Sequence, residues 1–366
     1  MSWTETEQAN FGCLLCNAKG MRIEGGGWGK GRMIGMQNRP FLCKPYGKDY
    51  LWGGRRLQDE MGKITELSPL AESWECSTHP DGPSMAADGE YADMELSEIL
   101  RLHPEYLGSR LRRMGSADVG QLPVLVKFID AKKDLSVQVH PTDAYAREFE
   151  NGQSGKSELW YILDAAKDAS IVYGLRQSLT KEELRRAAYC GTLEKYLQKV
   201  PVKKDQVFFV EAGMIHAVGA GCLIAEIQEN SNLTYRLYDY DRIDKNGAKR
   251  PLHIEKALEA ADLKRAPEPR QPIRVLRYTP GCARELLDRC RYFEVYRMLV
   301  NTERRQAVNY RADELSFRVL LCIDGCGILT FKDTVMEVYK GDCIFVPADS
   351  VEIRMHGKFQ FLDIRC

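Results

Sequence analysis

Apolar residues along this chain recur at the two-residue spacing of half-buried strands, in short runs closed by glycine or proline. Leu135–Val139 alternates and stops at His140-Pro141, where proline ends a strand because it brings no ladder donor. Pro123–Phe128 differs. It is apolar apart from Lys127, the pattern of a buried strand. Further strands are expected at Glu158–Leu163, Ala169–Tyr173, Gln206–Val210, Leu223–Gln228 and Leu233–Tyr238. The period changes at Thr180. Thr180-Lys-Glu-Glu183 reads as a capping box, and Leu184, Ala187 and Ala188 continue at helical spacing. Gly191 breaks that helix, and a second short helix is expected over Leu193–Val200. Met94–Leu100 and His253–Leu263 also read as helical.

The first 36 residues contain the glycine-rich stretch Gly25–Gly31 and read as a poorly ordered extension, with Met33 or Met36 as an alternative start. Ala266–Pro272 is the clearest linker, because its prolines supply no backbone donor. Beyond it, Tyr292–Cys366 alternates strand and turn, with turns expected at Asp324–Gly327 and Lys340–Asp342. The expected organisation is an extension (1–36), a β domain (37–265) with a helical insert near 178–200, and a second β domain (266–366). Many short strands with glycine turns point to a mainly β fold: a sandwich, jelly roll or barrel.

Composition narrows the function classes. Of 366 residues, 44% are hydrophobic and 28% charged, enough apolar surface to exclude disorder over most of the chain. Lys+Arg and Asp+Glu balance at 52 each, against a general nucleic-acid binder that works by phosphate neutralisation. No apolar run reaches the roughly 20 residues of a membrane span, and no apolar leader follows Met1. The 12 cysteines are scattered, and in a chain this long without an export signal they are expected as reduced cytoplasmic thiols. Cys13 and Cys16 stand at metal-ligand spacing, but without the second pair of a structural zinc site.

The chemistry-bearing segments are Leu135–Pro141, Gly155–Tyr161, Gly213–Ala217 and Ala225–Arg236. Residues two apart on a strand share a face, so Gln138 pairs with His140, Lys156 with Glu158, Glu226 with Gln228, and Thr234 with Arg236 and Tyr238. Strands that pack a core cannot bury such groups unpaired; a partner, a metal or a wet cavity must receive them. Two histidines (His140, His216), Glu158 and Gln138 match the ligand set of a zinc ion with an exchangeable position. Imidazole and carboxylate also admit other transition metals. Asp239, Asp241 and Arg242 read as a solvated turn, and Trp52 and Trp160 as packing residues.

Several motifs in order carry a resemblance. Trp52-Gly-Gly54, Ala71–Glu75 with His79-Pro80, Val126–Ala131, Ser136–Pro141, Gly155–Glu158, Gly213–His216 and Glu226–Arg236 resemble those of type I mannose-6-phosphate isomerases in the shorter bacterial form. The resemblance implies two cupin-type jelly-roll domains, one zinc ion per chain, a small sugar phosphate as substrate, and interconversion of mannose 6-phosphate and fructose 6-phosphate. It implies metal ligands at His140, Glu158, His216 and Gln138, a catalytic Arg236, and charged active-site neighbours in Lys156 and Glu226. The last hundred residues resemble a degenerate cupin half. Their sole histidine is His356, so no second metal triad is expected there.

The reaction's physics constrains the roles. Moving a proton between C1 and C2 builds negative charge on the sugar oxygens, which a Lewis acid and a fixed cation such as Arg236 stabilise. The proton acceptor is left open between Glu226, Lys156 and a metal-bound water. Two rivals stand beside the isomerase. A cupin oxygenase would need iron with two open positions, and a sugar-phosphate sensor would not need Arg236.

Overall fold

The computed structural model describes residues 38–113, 120–243, 247–304 and 306–366. The expected extension and the Cys13/Cys16 pair lie outside the described residues. The first thirteen strands, in chain order, are β1 (Phe41–Lys44), β2 (Tyr46–Lys48), β3 (Glu72–Cys76), β4 (Met85–Ala86), β5 (Val124–Ala131), β6 (Val137–Val139), β7 (Glu158–Ala165), β8 (Ser170–Leu175), β9 (Leu197–Pro201), β10 (Val207–Val210), β11 (His216–Val218), β12 (Cys222–Glu229) and β13 (Tyr235–Tyr238). Two antiparallel sheets form from these. One has the order β10-β7-β12-β5-β3-β2, the other β13-β6-β11-β8-β9.

The two sheets face each other. Ile129, Trp160 and Ile224 of the first pack with Ile171 and Val218 of the second in one buried cluster. Each sheet also buries its outer face. Val126, Phe128, Leu159, Ala225 and Ile227 pack outward against Val319, Phe345 and Leu362 of the C-terminal sheet. Val137, Val139, Ala217 and Leu237 pack outward against Leu184, Ala187 and Leu258 of two helices, Lys181–Tyr189 and Ile254–Ala260. This layering explains the near-continuous apolar run at β5, whose two faces are both covered.

A third sheet of ten strands carries the C-terminal residues, and β1 and β4 join it. Phe41 pairs with Phe345 and Cys43 with Ala86. Its interior is filled by side chains such as Met298, Leu320, Phe331, Ile344 and Phe361. Among the described residues, no second metal-ligating cluster occurs there.

The capping box at Thr180 is present: its hydroxyl accepts the Glu183 N–H while the Glu183 carboxylate accepts the Thr180 N–H. Three local expectations need correction. Leu193–Val200 is a single 3-10 turn, Leu193–Tyr196, followed by β9, because pairing to β8 outweighs local helix preference. Asp324–Gly327 is no turn but part of the long strand Arg318–Phe331, which slips register after Cys322. Gly325 takes φ +80° there, a conformation that suits glycine alone at such a bulge. Lys340–Asp342 is a turn, as expected. The linker Ala266–Pro272 has no regular structure but is tied down, since the Gln271 amide bonds both backbone groups of Val207. Third, a register shift between Arg236 and Tyr238 turns Tyr238 out of the face it was expected to share with Arg236.

Candidate metal centre

Three strands of the second sheet put their polar residues side by side. Gln138 on β6 stands opposite His216 on β11 and opposite Arg236 on β13. Across the interior, Glu158 opens β7 beside Gln228, and Glu226 on β12 lies between Trp160 and Lys127. The period-two rule thus sends both sets inward, as the sequence pattern required.

His140, Glu158 and His216 converge and are all buried. One ligand atom from each lies within 4.8 Å of the others. The imidazole Nε2 atoms of His140 and His216 are 3.1 Å apart. Glu158 Oε2 is 3.5 Å from His140 Nε2, and Glu158 Oε1 is 3.3 Å from His216 Nε2. Backbone carbonyls fix the tautomers. His140 Nδ1 is 2.7 Å from the Leu233 oxygen and His216 Nδ1 2.8 Å from the Met214 oxygen, so each Nδ1 carries the proton and donates it. Burial pushes the His140 pKa down to about 3 and lowers that of His216, which keeps both rings neutral. Each Nε2 therefore presents a lone pair to the same point. Two facing lone pairs repel unless a cation stands beside them.

The Lys156 ammonium is one such cation, 3.0 Å from His140 Nε2 and 2.6 Å from Glu158 Oε2. Burial opposes the Glu158 carboxylate, but Lys156 and the two flanking histidines together more than offset it and hold the pKa well below the ordinary range. Glu158 Oε1 is buried without a hydrogen-bond partner. An orphaned carboxylate oxygen beside two neutral imidazole lone pairs is a donor set that fits a divalent metal ion. The Gln138 amide reaches the rim of this set, 3.4 Å from His216 Nε2, and Ser136 Oγ holds its other end at 3.3 Å.

Gln138 and Lys156, which touch the triad, line a cleft of about 240 Å³ between the sheets. Four cations line it, Lys127, Lys156, Arg236 and Arg250, together with the carboxylates of Glu72 and Glu226. Glu226 accepts the Trp160 indole N–H at 2.7 Å and lies 2.7 Å from the Lys127 ammonium. Burial and the charge of Glu158 raise its pKa. Lys127 also meets Glu72 at 3.3 Å. Burial works against this ammonium, but the two carboxylates more than offset it and raise its pKa. Arg236 donates from Nε to Ser136 Oγ (3.2 Å) and from a terminal nitrogen to the Pro251 carbonyl (3.0 Å).

Sequence reasoning missed Lys127, Glu72 and Arg250. The available signal was a charge among the apolar residues of two buried strands, β5 and β3, each of which also carries a second charge, Asp130 and Glu75. Arg250 carries no such signal, because its place depends on Asp239. The expected solvated turn at Asp239–Arg242 is there, with Asp241 exposed, but Asp239 departs from it: it is buried and takes a two-pronged grip from Arg250, at 2.8 and 2.5 Å, as well as a bond from Arg242. Trp52 and Trp160 line the cleft as well as packing. Glu75 is bound to Lys63 at 2.6 Å and takes no part in the cleft lining. A roomier cavity of about 710 Å³ beside Tyr189, Tyr238 and His253 contains none of the triad and none of the four cleft cations.

The family described as phosphomannose isomerase type I, catalytic domain, matches residues 41–172. The mannose-6-phosphate isomerase ManA of Bacillus subtilis (strain 168) is 35% identical over 324 residues, 88% of this chain and 97% of that protein. The chain belongs to the type I phosphomannose isomerase family. Its residues 284–365 match the mannose-6-phosphate isomerase cupin domain, so the C-terminal barrel is a cupin. The crystal structure of the mannose 6-phosphate isomerase from Bacillus subtilis shares the fold with a TM-score of 0.80 at 33% identity, covering 90% of this chain and 99% of that one. The mannose-6-phosphate isomerase of Streptococcus mutans serotype c is 41% identical over 209 residues, 57% of this chain and 63% of that protein. A chain of this family is an isomerase. Among the described residues, no helix is long and apolar enough to cross a membrane.

Proposed function

We propose that this chain interconverts mannose 6-phosphate and fructose 6-phosphate with one divalent metal ion, zinc by its donor set, held by His140, Glu158 and His216. The observation that carries the metal reading is the orphaned Glu158 Oε1 beside two imidazoles locked with their lone pairs facing inward. Gln138 would complete the set once its amide oxygen, rather than its nitrogen, faces His216. When bound, such an ion supplies Lewis-acid stabilisation of the negative charge that develops on the sugar oxygens.

The chain's own groups supply the rest. Glu226 takes the proton from C2 of the aldose and returns it to C1, one carboxylate serving one face of the sugar, while the hydroxyl proton passes from O2 to O1 as the carbonyl moves from C1 to C2. Its raised pKa makes it a stronger base than an exposed glutamate. Lys127 and the Trp160 N–H aim that carboxylate. Lys156, bound to Glu158, serves as an electrostatic partner of the enediolate. Arg236, anchored by Ser136 and Pro251, faces the developing oxyanion. Arg250, aimed by Asp239, supplies a charge for the phosphate at the cleft's far side. In this reading residues 37–265 carry every group of the site and residues 266–366 back the first sheet. Cysteines such as Cys43, Cys76, Cys222 and Cys343 are buried free thiols, which suits a cytoplasmic enzyme.

The test is a coupled assay converting mannose 6-phosphate to fructose 6-phosphate. Activity should vanish on chelation and return with zinc, and Glu226→Gln should lower kcat by about 10²–10⁴-fold with zinc still bound. A folded, zinc-loaded protein without turnover would refute the proposal.

A further inference from the structure

The strand start that carries Lys156 and Glu158 is held by three successive backbone N–H groups. Gly155 N–H donates to Asp143 Oδ1 at 3.0 Å, Lys156 N–H to the Pro141 carbonyl at 3.1 Å, and Ser157 N–H to Glu229 Oε1 at 2.8 Å. Two of the three acceptors are carboxylates, and these two carboxyl groups lie close enough for each to act on the other's titration. Two carboxyls so placed share a proton. Burial and the neighbouring Asp143 raise Glu229 to about 7, and Asp143 stays below its ordinary range because its hydrogen bonds outweigh its burial. Protonated Glu229 can thus donate to Asp143 and still accept from Ser157.

The second oxygen of Asp143 accepts the Tyr292 hydroxyl at 3.0 Å. Tyr292 lies between the C-terminal strands Cys282–Arg289 and Glu294–Asn301. Bonds therefore run from the C-terminal cupin through Tyr292 and Asp143 to the backbone before Lys156, and Glu229, beside Asp143, holds the backbone after it. The packing is tight. A Cβ on Gly155 would stand 2.5 Å from the Asp143 nitrogen and 2.7 Å from the Thr142 carbonyl carbon.

We infer that Tyr292, Asp143 and Glu229 are positioning residues that hold Glu158 and Lys156 in register with His140. The C-terminal cupin, with no metal cluster of its own among the described residues, thereby shapes the metal site of the first. The inference rests on the metal reading above. Groups that orient a metal ligand typically alter metal affinity by about 10–100-fold when removed.

The experiment is competition for zinc(II) between the folded apo-protein and a chromophoric chelator, for wild type, Tyr292→Phe, Glu229→Leu and Glu229→Gln. Thermal unfolding of each apo-protein runs alongside. Tyr292→Phe and Glu229→Leu should bind zinc about 10-fold more weakly. Glu229→Gln keeps an acceptor for Ser157 and a donor for Asp143, so it should stay within about threefold of wild type. A merely structural role would lower the unfolding temperature and leave zinc affinity unmoved. Zinc affinities of Tyr292→Phe and Glu229→Leu within twofold of wild type would overturn the inference, as would a Glu229→Gln as weak as Glu229→Leu. If wild type itself bound no zinc, the metal reading would fall first.

Discussion

Replacing Lys127 by methionine keeps the aliphatic stem and deletes the ammonium between Glu226 and Glu72. The pair distances are 2.7 and 3.3 Å, and the three side chains are at most 10% exposed. Removing one partner of a buried pair costs about 3–5 kcal/mol, because the remaining charge is stranded. Here each carboxylate retains an indole donor at 2.7 Å, Trp160 for Glu226 and Trp74 for Glu72, which places the loss near the lower end, about 3 kcal/mol. For a chain of this size that is a fall of about 6 °C in Tm. The pH dependence has a definite sign. Without Lys127, the Glu226 pKa rises further above its unfolded value. A carboxyl raised in the folded state is protonated at low pH, where the penalty disappears, and the penalty grows as pH rises through the folded pKa. Urea unfolding should therefore show a larger deficit at pH 8 than at pH 5. Lys127→Met/Glu226→Gln should recover part of the pH 8 loss, since Glu72 is then the one carboxylate left without its ammonium. A single variant within about 0.5 kcal/mol of wild type at pH 8, or a deficit larger at pH 5, would refute the reasoning.

Gly155→Ala forces a Cβ against backbone atoms of Thr142 and Asp143 that cannot swing aside, so it should lower stability by about 1–3 kcal/mol and weaken zinc binding in the same titration. The Glu229 carboxyl, raised from 4.5 to about 7, binds its proton more tightly folded than unfolded, so its contribution to stability falls by about 3 kcal/mol as pH climbs from below 4.5 to above 7. Comparing wild type with Glu229→Gln between pH 5 and 8 isolates that slope, and parallel stability curves would contradict it.

Much of the site was legible because strand alternation is local. Gln138 and His140, Lys156 and Glu158, and Glu226 and Gln228 reach the interior through the period-two geometry of their own strands. Local reasoning failed where a partner outweighed it. β9 forms at Leu197–Pro201 because β8 offers a ladder, and Tyr238 leaves its expected face because the β13–β6 register slips. Lys127 was visible only as a charge in an apolar strand. Its meaning depended on Glu226, 99 residues away in sequence and opposite it in register.

The amino-acid sequence alone determined the strand-rich fold and the facing of its polar residues, which follow from spacing along single strands, and its ordered motifs pointed to His140, Glu158 and His216 as the candidate metal triad that the fold brings together. The tertiary structure decided what spacing cannot encode. It set the tautomers of His140 and His216 through carbonyls at Leu233 and Met214. It paired Lys127 with two buried carboxylates, and it linked Tyr292 to the ligand strand through Asp143. These depend on distances between residues far apart in the chain, and such distances exist only once the sheets have packed.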